Sequence, residues 1–243
     1  VHQLNTLSGA ILGPMLRADP VGPRITYYDD ATGERIELSA ATLANWAAKT
    51  GNLLRDELGA GPGSRVAVLL PAHWQTAAVL FGVWWIGAEA VLGVGPADPA
   101  ADVALCTVER LDEADEAAPG GEVAVLSLDA FGRPVAGLPV GVTDYATAVR
   151  VHGDQIVAED HPGPALAGRS VDEVLADCES AAAARDLTAK DRVLSSASWS
   201  GPGELVDGLL AVLAVGASLV QVANPDPSAL QRRMESEKVT RVL

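Results

Sequence analysis

Positive charge is scarce in this chain. Its 243 residues hold 17 Lys and Arg against 32 Asp and Glu, and the lysines are only Lys49, Lys190 and Lys238. A formal net charge of −15 repels other polyanions, so no nucleic-acid partner and no anionic membrane surface is expected. Cysteine is scarce as well. Cys106 and Cys178 stand far apart with no CxxC spacing, which argues against a zinc ribbon or a disulfide framework. It suits two small buried thiols in a reducing compartment. Long apolar runs are missing: the longest, 76–88, is too short to span a bilayer and is followed by Glu89. The opening VHQLNTLSGAILGPMLRADP lacks the basic start and long apolar stretch of a signal peptide. These absences lead to an expectation of a cytoplasmic protein without membrane insertion.

What is present is an apolar fraction of 49%, enough for a sizeable core, in alternating patterns. Residues 25–38 read as a hairpin, ITYYDD and ERIEL, turning at Ala31, Thr32 and Gly33. Ser39 reads as an N-cap, followed by Leu43, Trp46, Ala47, Thr50, Leu53, Leu54 and Leu58 at helical spacing. RVAVLL at 65–70 reads as a buried strand, 73–86 as a helix apolar nearly all round, and 90–94 as a second strand. That order implies parallel strands with a right-handed crossover. Strands are expected at 103–108 and 122–128 around an acidic helix, and a short helix at 144–152. A loop rich in Gly, Pro and acids follows at 153–168. Helices at 170–185, 204–215 and 228–237 then alternate with strands at 192–197, 218–222 and 239–243. Alternation of this kind predicts a layered α/β/α fold built of βαβ units.

Two stretches carry a family resemblance. Residues 25–94 resemble the opening of the adenylate-forming superfamily: acyl-CoA synthetases, peptide-synthetase adenylation domains and luciferases. There a helix leads through a GxGPGDRV turn, a buried strand and a PN-like loop to a helix ending at GA. The counterparts here are Gly59 to Val66, Pro71-Ala72 and Gly87-Ala88. DRVLSSASWSGPGELVDGLLAVLAVGASLVQV, 191–222, is similar to the segment downstream of that family's phosphate loop. The whole resembles short actinobacterial relatives of the superfamily, and implies one truncated N-terminal domain, 1–243. Within it, one lobe of about 1–152 and another of about 169–243 are expected to meet at the 153–168 loop.

The departures from the family pattern bear on function. The resemblance implies a TSGTTGxPKG loop before residue 170, whose glycines, hydroxyls and lysine hold triphosphate. The chain has GDQIVAEDHPGPALAG there, without Ser, Thr or Lys and with Asp154, Glu159 and Asp160. The family's aromatic-His pair after the next strand is reduced to Trp199. Its adenine, ribose and magnesium segments and its catalytic lysine are expected beyond Leu243.

Other constellations carry less. Gly59 to Gly63 runs from helix to strand, the wrong polarity for a dinucleotide fingerprint, and reads as a cap and turn. Ser198, Trp199, Ser200, Gly201 and Gly203 follow a strand and open a helix. They have the right polarity for a ligand site at the carboxyl ends of strands and are the candidate binding residues. Gly93-Val94-Gly95-Pro96 follows a strand too and reads as a turn. His152 with Asp154, and His161 with Glu159 and Asp160, lack the further ligands a metal needs and read as solvated loop residues. Arg150 is expected to pair with a carboxylate and pin its loop. No Gly-x-Ser-x-Gly elbow occurs, and no catalytic residue or metal site is expected. The reading is a non-catalytic binding or interaction module with an unidentified protein partner or self-association, needing no cofactor. The alternatives are a nucleotide- or acyl-binding protein using ATP or AMP and Mg, completed by a partner, and a structural subunit of a homo-oligomer.

Overall fold

In the computed structural model, residues 5–93, 95 and 98–243 are described. They open on a helix that the sequence pattern does not assign, α1 (Leu7–Ala18), capped by the Thr6 side chain and burying Leu7, Ile11, Leu12 and Met15. The expected hairpin follows as antiparallel β1 (Pro23–Asp29) and β2 (Glu34–Ser39), with Gly33 at φ +78° in the turn, a region that glycine enters without a Cβ clash. Ser39 caps α2 (Ala40–Asp56). Then come β3 (Arg65–Leu69), α3 (Trp74–Trp85) and β4 (Glu89–Val91), with β3 and β4 parallel as expected. Of the strand expected at 90–94, Val94 lies outside the described residues. β5 (Val103–Cys106), α4 (Leu111–Ala117), β6 (Glu122–Val125), β7 (Val142–Asp144) and α5 (Tyr145–Ala148) complete the middle. α6 (Val171–Ala184) begins in a capping box of Ser170 and Glu173.

β8 (Arg192–Ser195) leads to α7 (Pro202–Leu205), which runs through a π-helical stretch, Val206–Leu210, into α8 (Ala211–Ala214). β9 (Ser218–Ala223), α9 (Pro227–Ser236) and β10 (Arg241–Val242) follow. The described strands form two five-stranded sheets, β10-β8-β9-β1-β2 and β4-β3-β5-β6-β7. The first sheet therefore joins the hairpin, which precedes the 153–168 loop, to strands that follow it, and the second sheet lies wholly before that loop. The free edge of the N-terminal hairpin pairs in parallel with β9, Ile25 opposite Leu219, so the first sheet draws on both ends of the chain.

Alternation along the strands explains the layering. Val66 and Val68 of β3 face the main core, which the helices α1, α2, α3, α6 and α8 fill between the two sheets. Ala67 and Leu69 face the other way, onto α4. Leu194, Val220 and Val222 likewise face outward, toward Met234 of α9. α2 and α3 cross closely at Gly51 and Gly82. A Cβ at Gly82 would lie 2.9 Å from Thr50 Cβ, 3.0 Å from the Ala47 carbonyl and 3.0 Å from the Gly51 amide. Alanine is the better helix former by about 1 kcal/mol, but overpacking costs about 1–3 kcal/mol, and backbone atoms do not step aside. Gly82→Ala is expected to lower the urea midpoint at an unchanged slope.

An ion network closes the first sheet. The Glu237 carboxylate at the end of α9 accepts from Tyr28 Oη at 2.5 Å, from Arg35 Nη2 at 2.9 Å and from Arg192, joining β1, β2 and β8.

Candidate functional site

The carboxyl ends of β3, β8 and β9 converge on a cleft of about 400 Å³. Its apolar wall comes from Val68, Leu70 and Val222, and its polar groups from the 196–200 loop, Gln221 and Asn224. Gln221, 1% exposed, is the polar residue of a buried strand. Its Nε2 donates to the Ala197 carbonyl at 3.0 Å, and its Oε1 finds no hydrogen-bond partner among the described residues. A buried acceptor left open in this way favours a ligand that donates to it. Arg110 also reaches the cleft, but Glu113 holds its guanidinium in a fork, at 2.8 and 2.6 Å.

The loop after β8 is strained. Trp199 sits at φ +56°, a left-handed conformation costing ~1–3 kcal/mol for a non-glycine residue. Its ring is buried against Gly208 in the π-helical stretch, and π segments occur often beside functional sites. Ser198 Oγ, Ser200 N and Ser200 Oγ all donate to Glu204, at 2.5, 3.1 and 3.0 Å. These bonds hold the Glu204 carboxyl below its ordinary pKa, that from Ser198 first and those from Ser200 next. The chain's own carboxylate thus takes up the hydroxyls and the amide that would otherwise receive an anion. Of the candidates read from sequence, Ser198, Trp199 and Ser200 line the cleft, whereas Gly201 and Gly203 lie outside it.

The 153–168 segment is a strap tied to α2, α3 and β4. Asn52 Nδ2 donates to the carbonyls of Gly153 and Gln155, at 3.0 and 2.9 Å. Trp84 Nε1 donates to the Ala165 carbonyl at 2.8 Å, and Ala90 N to the same carbonyl at 2.9 Å. Leu166 bridges back to Arg169 in a tight turn, with Ala167 and Gly168 both at positive φ. The Gly168 amide donates to Glu89 at 2.6 Å, and Glu89 also binds Arg65 at 2.9 Å. Where the family resemblance puts a phosphate loop, the turn is short and a buried carboxylate occupies its amide.

This geometry has relatives. Over 242 residues the chain is 79% identical to the TIGR03089 family protein of Mycobacterium tuberculosis, and the match spans 98% of both chains. The chain belongs to the TIGR03089 family. Its residues 18–109 match the model of the AMP-binding enzyme family. Its fold is similar to that of Brucella canis acyl-CoA synthetase, with a TM-score of 0.80 and 17% identity over 98% of this chain and 46% of that one. It is similar also to the anthranilate CoA ligase AuaEII in complex with anthranoyl-AMP, with a TM-score of 0.74 and 16% identity over 98% of this chain and 48% of that one. The chain spans about half the length of these solved structures. Over residues 18–109 its sequence is thus similar to the AMP-binding enzyme family, and its fold is that of about half of an acyl-CoA synthetase chain.

In this TIGR03089 family member the remaining sequence candidates go elsewhere. His152 Nε2 lies 2.8 Å from Glu57, the residue that follows α2, a partner other than Asp154. Arg150 donates to the Gly132 carbonyl; the expected carboxylate is replaced by a main-chain oxygen, and the segment tied down is the loop after β6. The turn at 59–63 runs from α2 to β3, with Gly59 and Gly63 at positive φ. Cys106 and Cys178 are buried free thiols, pushed up to about 11 and about 12 chiefly by burial. Among the described residues no group of three or more His, Cys, Asp or Glu could hold a metal ion, and no helix is long and apolar enough to cross a membrane. Gln221, Asn224 and Arg110 escape the sequence reading because the first two stand at the end of β9 and Arg110 at the start of α4, far away in the chain. The one available signal was a glutamine inside the apolar run SLVQVA.

Proposed function

We propose that this TIGR03089 family member is a non-catalytic, cytoplasmic binding module that holds a small, partly polar molecule in the cleft between its two sheets. The observation that carries this reading is the open acceptor of Gln221 at the carboxyl ends of the strands, beside the strained Trp199 loop. A volume of about 400 Å³ falls in the range of small-molecule pockets. An acyl or aryl group against the apolar wall, with an N–H or O–H directed at Gln221, satisfies the lining. Triphosphate is not the expected ligand, because Glu204 and Glu89 already occupy the amides that would receive it. Two reduced, buried thiols support the cytoplasmic setting.

The test is thermal unfolding with AMP, with Mg-ATP, and with a panel of aliphatic and aromatic acids and amides. A ligand at one hundred times its dissociation constant adds about 2.7 kcal/mol, which raises the melting temperature of a chain this size by roughly 5–10 °C. A saturable rise is expected with a member of the acid or amide panel and none with Mg-ATP, and Gln221→Leu should remove the rise. ATP–pyrophosphate exchange driven by any carboxylate would overturn the non-catalytic reading.

A second reading has one observation behind it: the chain spans 46% and 48% of the two solved structures above. On that reading a partner chain completes an adenylate-forming site, and exchange would arise only on mixing the two.

A further inference from the structure

A second cavity, of about 840 Å³, lies across a partition of Pro71, Ala72, Ala223 and Asn224, residues that line both hollows. His73 and Glu34 line it. His73 is 3% exposed, and its Nδ1 accepts the Gln75 backbone N–H at 3.1 Å, capping α3. A neutral imidazole whose Nδ1 accepts carries its proton on Nε2. Burial pushes the ring's pKa down to about 4, against an opposing pull from Asp29, so the ring is neutral at neutral pH. The Nε2 proton finds no acceptor among the described residues. Glu34 Oε1, 3.8 Å away, is beyond hydrogen-bond reach of His73 and makes no well-formed hydrogen bond, with the Trp74 indole N–H, likewise unsatisfied, close enough to act on the carboxyl. Two unsatisfied donors, His73 Nε2 and Trp74 Nε1, thus stand beside one unsatisfied acceptor, and of these His73 and Glu34 line the cavity.

The surrounding charges set the sign of what fits between them. Asp29 and Asp129 line the cavity with Glu34. Burial first, and these two carboxylates after it, raise the Glu34 pKa, with the Trp74 indole offsetting part of the rise. The Arg35 guanidinium, also in the lining, is engaged by Glu37 and Glu237. Tyr27 packs edge-on against His73 with ring centroids 4.4 Å apart, and Phe131 stands 81% exposed at the rim. Carboxylates repel an anion. A metal ion would need the Nε2 lone pair, which is protonated as long as Nδ1 keeps its cap.

We propose that this cavity binds a small organic ammonium carrying a hydroxyl on the adjacent carbon. The ammonium sits among Glu34, Asp29 and Asp129, where charge-assisted hydrogen bonds hold it. The hydroxyl oxygen accepts from His73 Nε2, and the rings of Tyr27 and Phe131 cover the carbon skeleton and favour the cation. The site is independent of the ligand proposed for the first cleft.

The experiment is a titration of the full 243-residue chain, 15N-labelled at histidine, with 2-amino-1-phenylethanol. The comparators are phenethylamine, which lacks the hydroxyl, 1-phenylethanol, which lacks the ammonium, and mandelate, which reverses the charge. Saturable binding of the amino alcohol is expected, with a shift of the His73 Nε2 resonance and about tenfold weaker binding of each comparator, the worth of one good hydrogen bond. Glu34→Gln should weaken the amino alcohol about tenfold. His73→Asn keeps an acceptor for the Gln75 amide while removing Nε2, and should bring the amino alcohol and phenethylamine to equal affinity. No saturable binding, or binding that neither variant alters, would overturn the proposal and leave water as the partner of His73 Nε2 and Glu34 Oε1.

Discussion

Glu237→Ala is expected to remove about 3 kcal/mol of stability and to lower the melting temperature by roughly 6–12 °C. The carboxylate is 8% exposed and receives Tyr28, Arg35 and Arg192 together. Arg192 is largely buried and loses a partner it cannot replace with water, while the half-exposed Arg35 rehydrates and contributes little. Burial alone would raise the Glu237 pKa, but hydrogen bonds from Tyr28, Arg192 and Arg35 outweigh it and the net shift is downward. Asp30 behaves alike: burial raises it, and the bonds from Arg233 and the Asp226 amide lower it further than burial lifts it. A carboxyl depressed in the folded state contributes stability that is fully present above its unfolded pKa, about 4.3 for Glu and 3.9 for Asp. That stability is lost as the pH falls through the folded value. Urea unfolding between pH 7 and pH 2 should therefore show stability falling below about pH 5, with a shallower fall in Glu237→Ala. A variant as stable as the parent at pH 7, or a slope of opposite sign, would refute this account.

Trp84→Ala should cost about 3–5 kcal/mol. Trp84 is fully buried in the main core, stacks edge-on with Phe81 at 5.6 Å and bonds the Ala165 carbonyl. Its loss opens a cavity and releases the strap in one step. Trp84→Phe keeps a six-membered ring in the core while removing the indole N–H and a smaller volume, and should cost less than the alanine variant, about 1–3 kcal/mol. Limited proteolysis is the second readout: both variants should be cut faster within 153–168, and cleavage no faster than in the parent would disconnect Trp84 from the strap.

Much of this architecture is legible in local pattern. Ser39, Ser170 and the glycines at 59 and 87 punctuate helices where caps and left-handed turns require them. The apolar ring of α3 announces a helix buried on every side. Pattern fails where partners are distant. Nothing in the residues of β1 says that its second edge meets β9, because pairing is written in backbone groups that every residue shares. α1 escapes because its Gly- and Pro-containing sequence has weak intrinsic helix propensity and depends on tertiary burial. The site divides the same way. The 198–200 loop shows itself by Ser and Gly after a strand, whereas Gln221 and the His73–Glu34 pair become visible only once separate elements are brought together.

The hairpin that completes the first sheet sets an order of events during synthesis. The second sheet is contiguous in the chain, from β3 through β7, and its parallel pairings close over crossovers far shorter than the separation of β1 from β9. β1 cannot find its parallel partner until β9 has been made, so one edge of the hairpin stays open while the intervening chain emerges. Contacts of such sequence separation slow folding, and an open strand edge invites pairing with another nascent chain. The acidic excess of the sequence then has a further use, since mutual repulsion between half-made chains protects that edge until the last strands arrive.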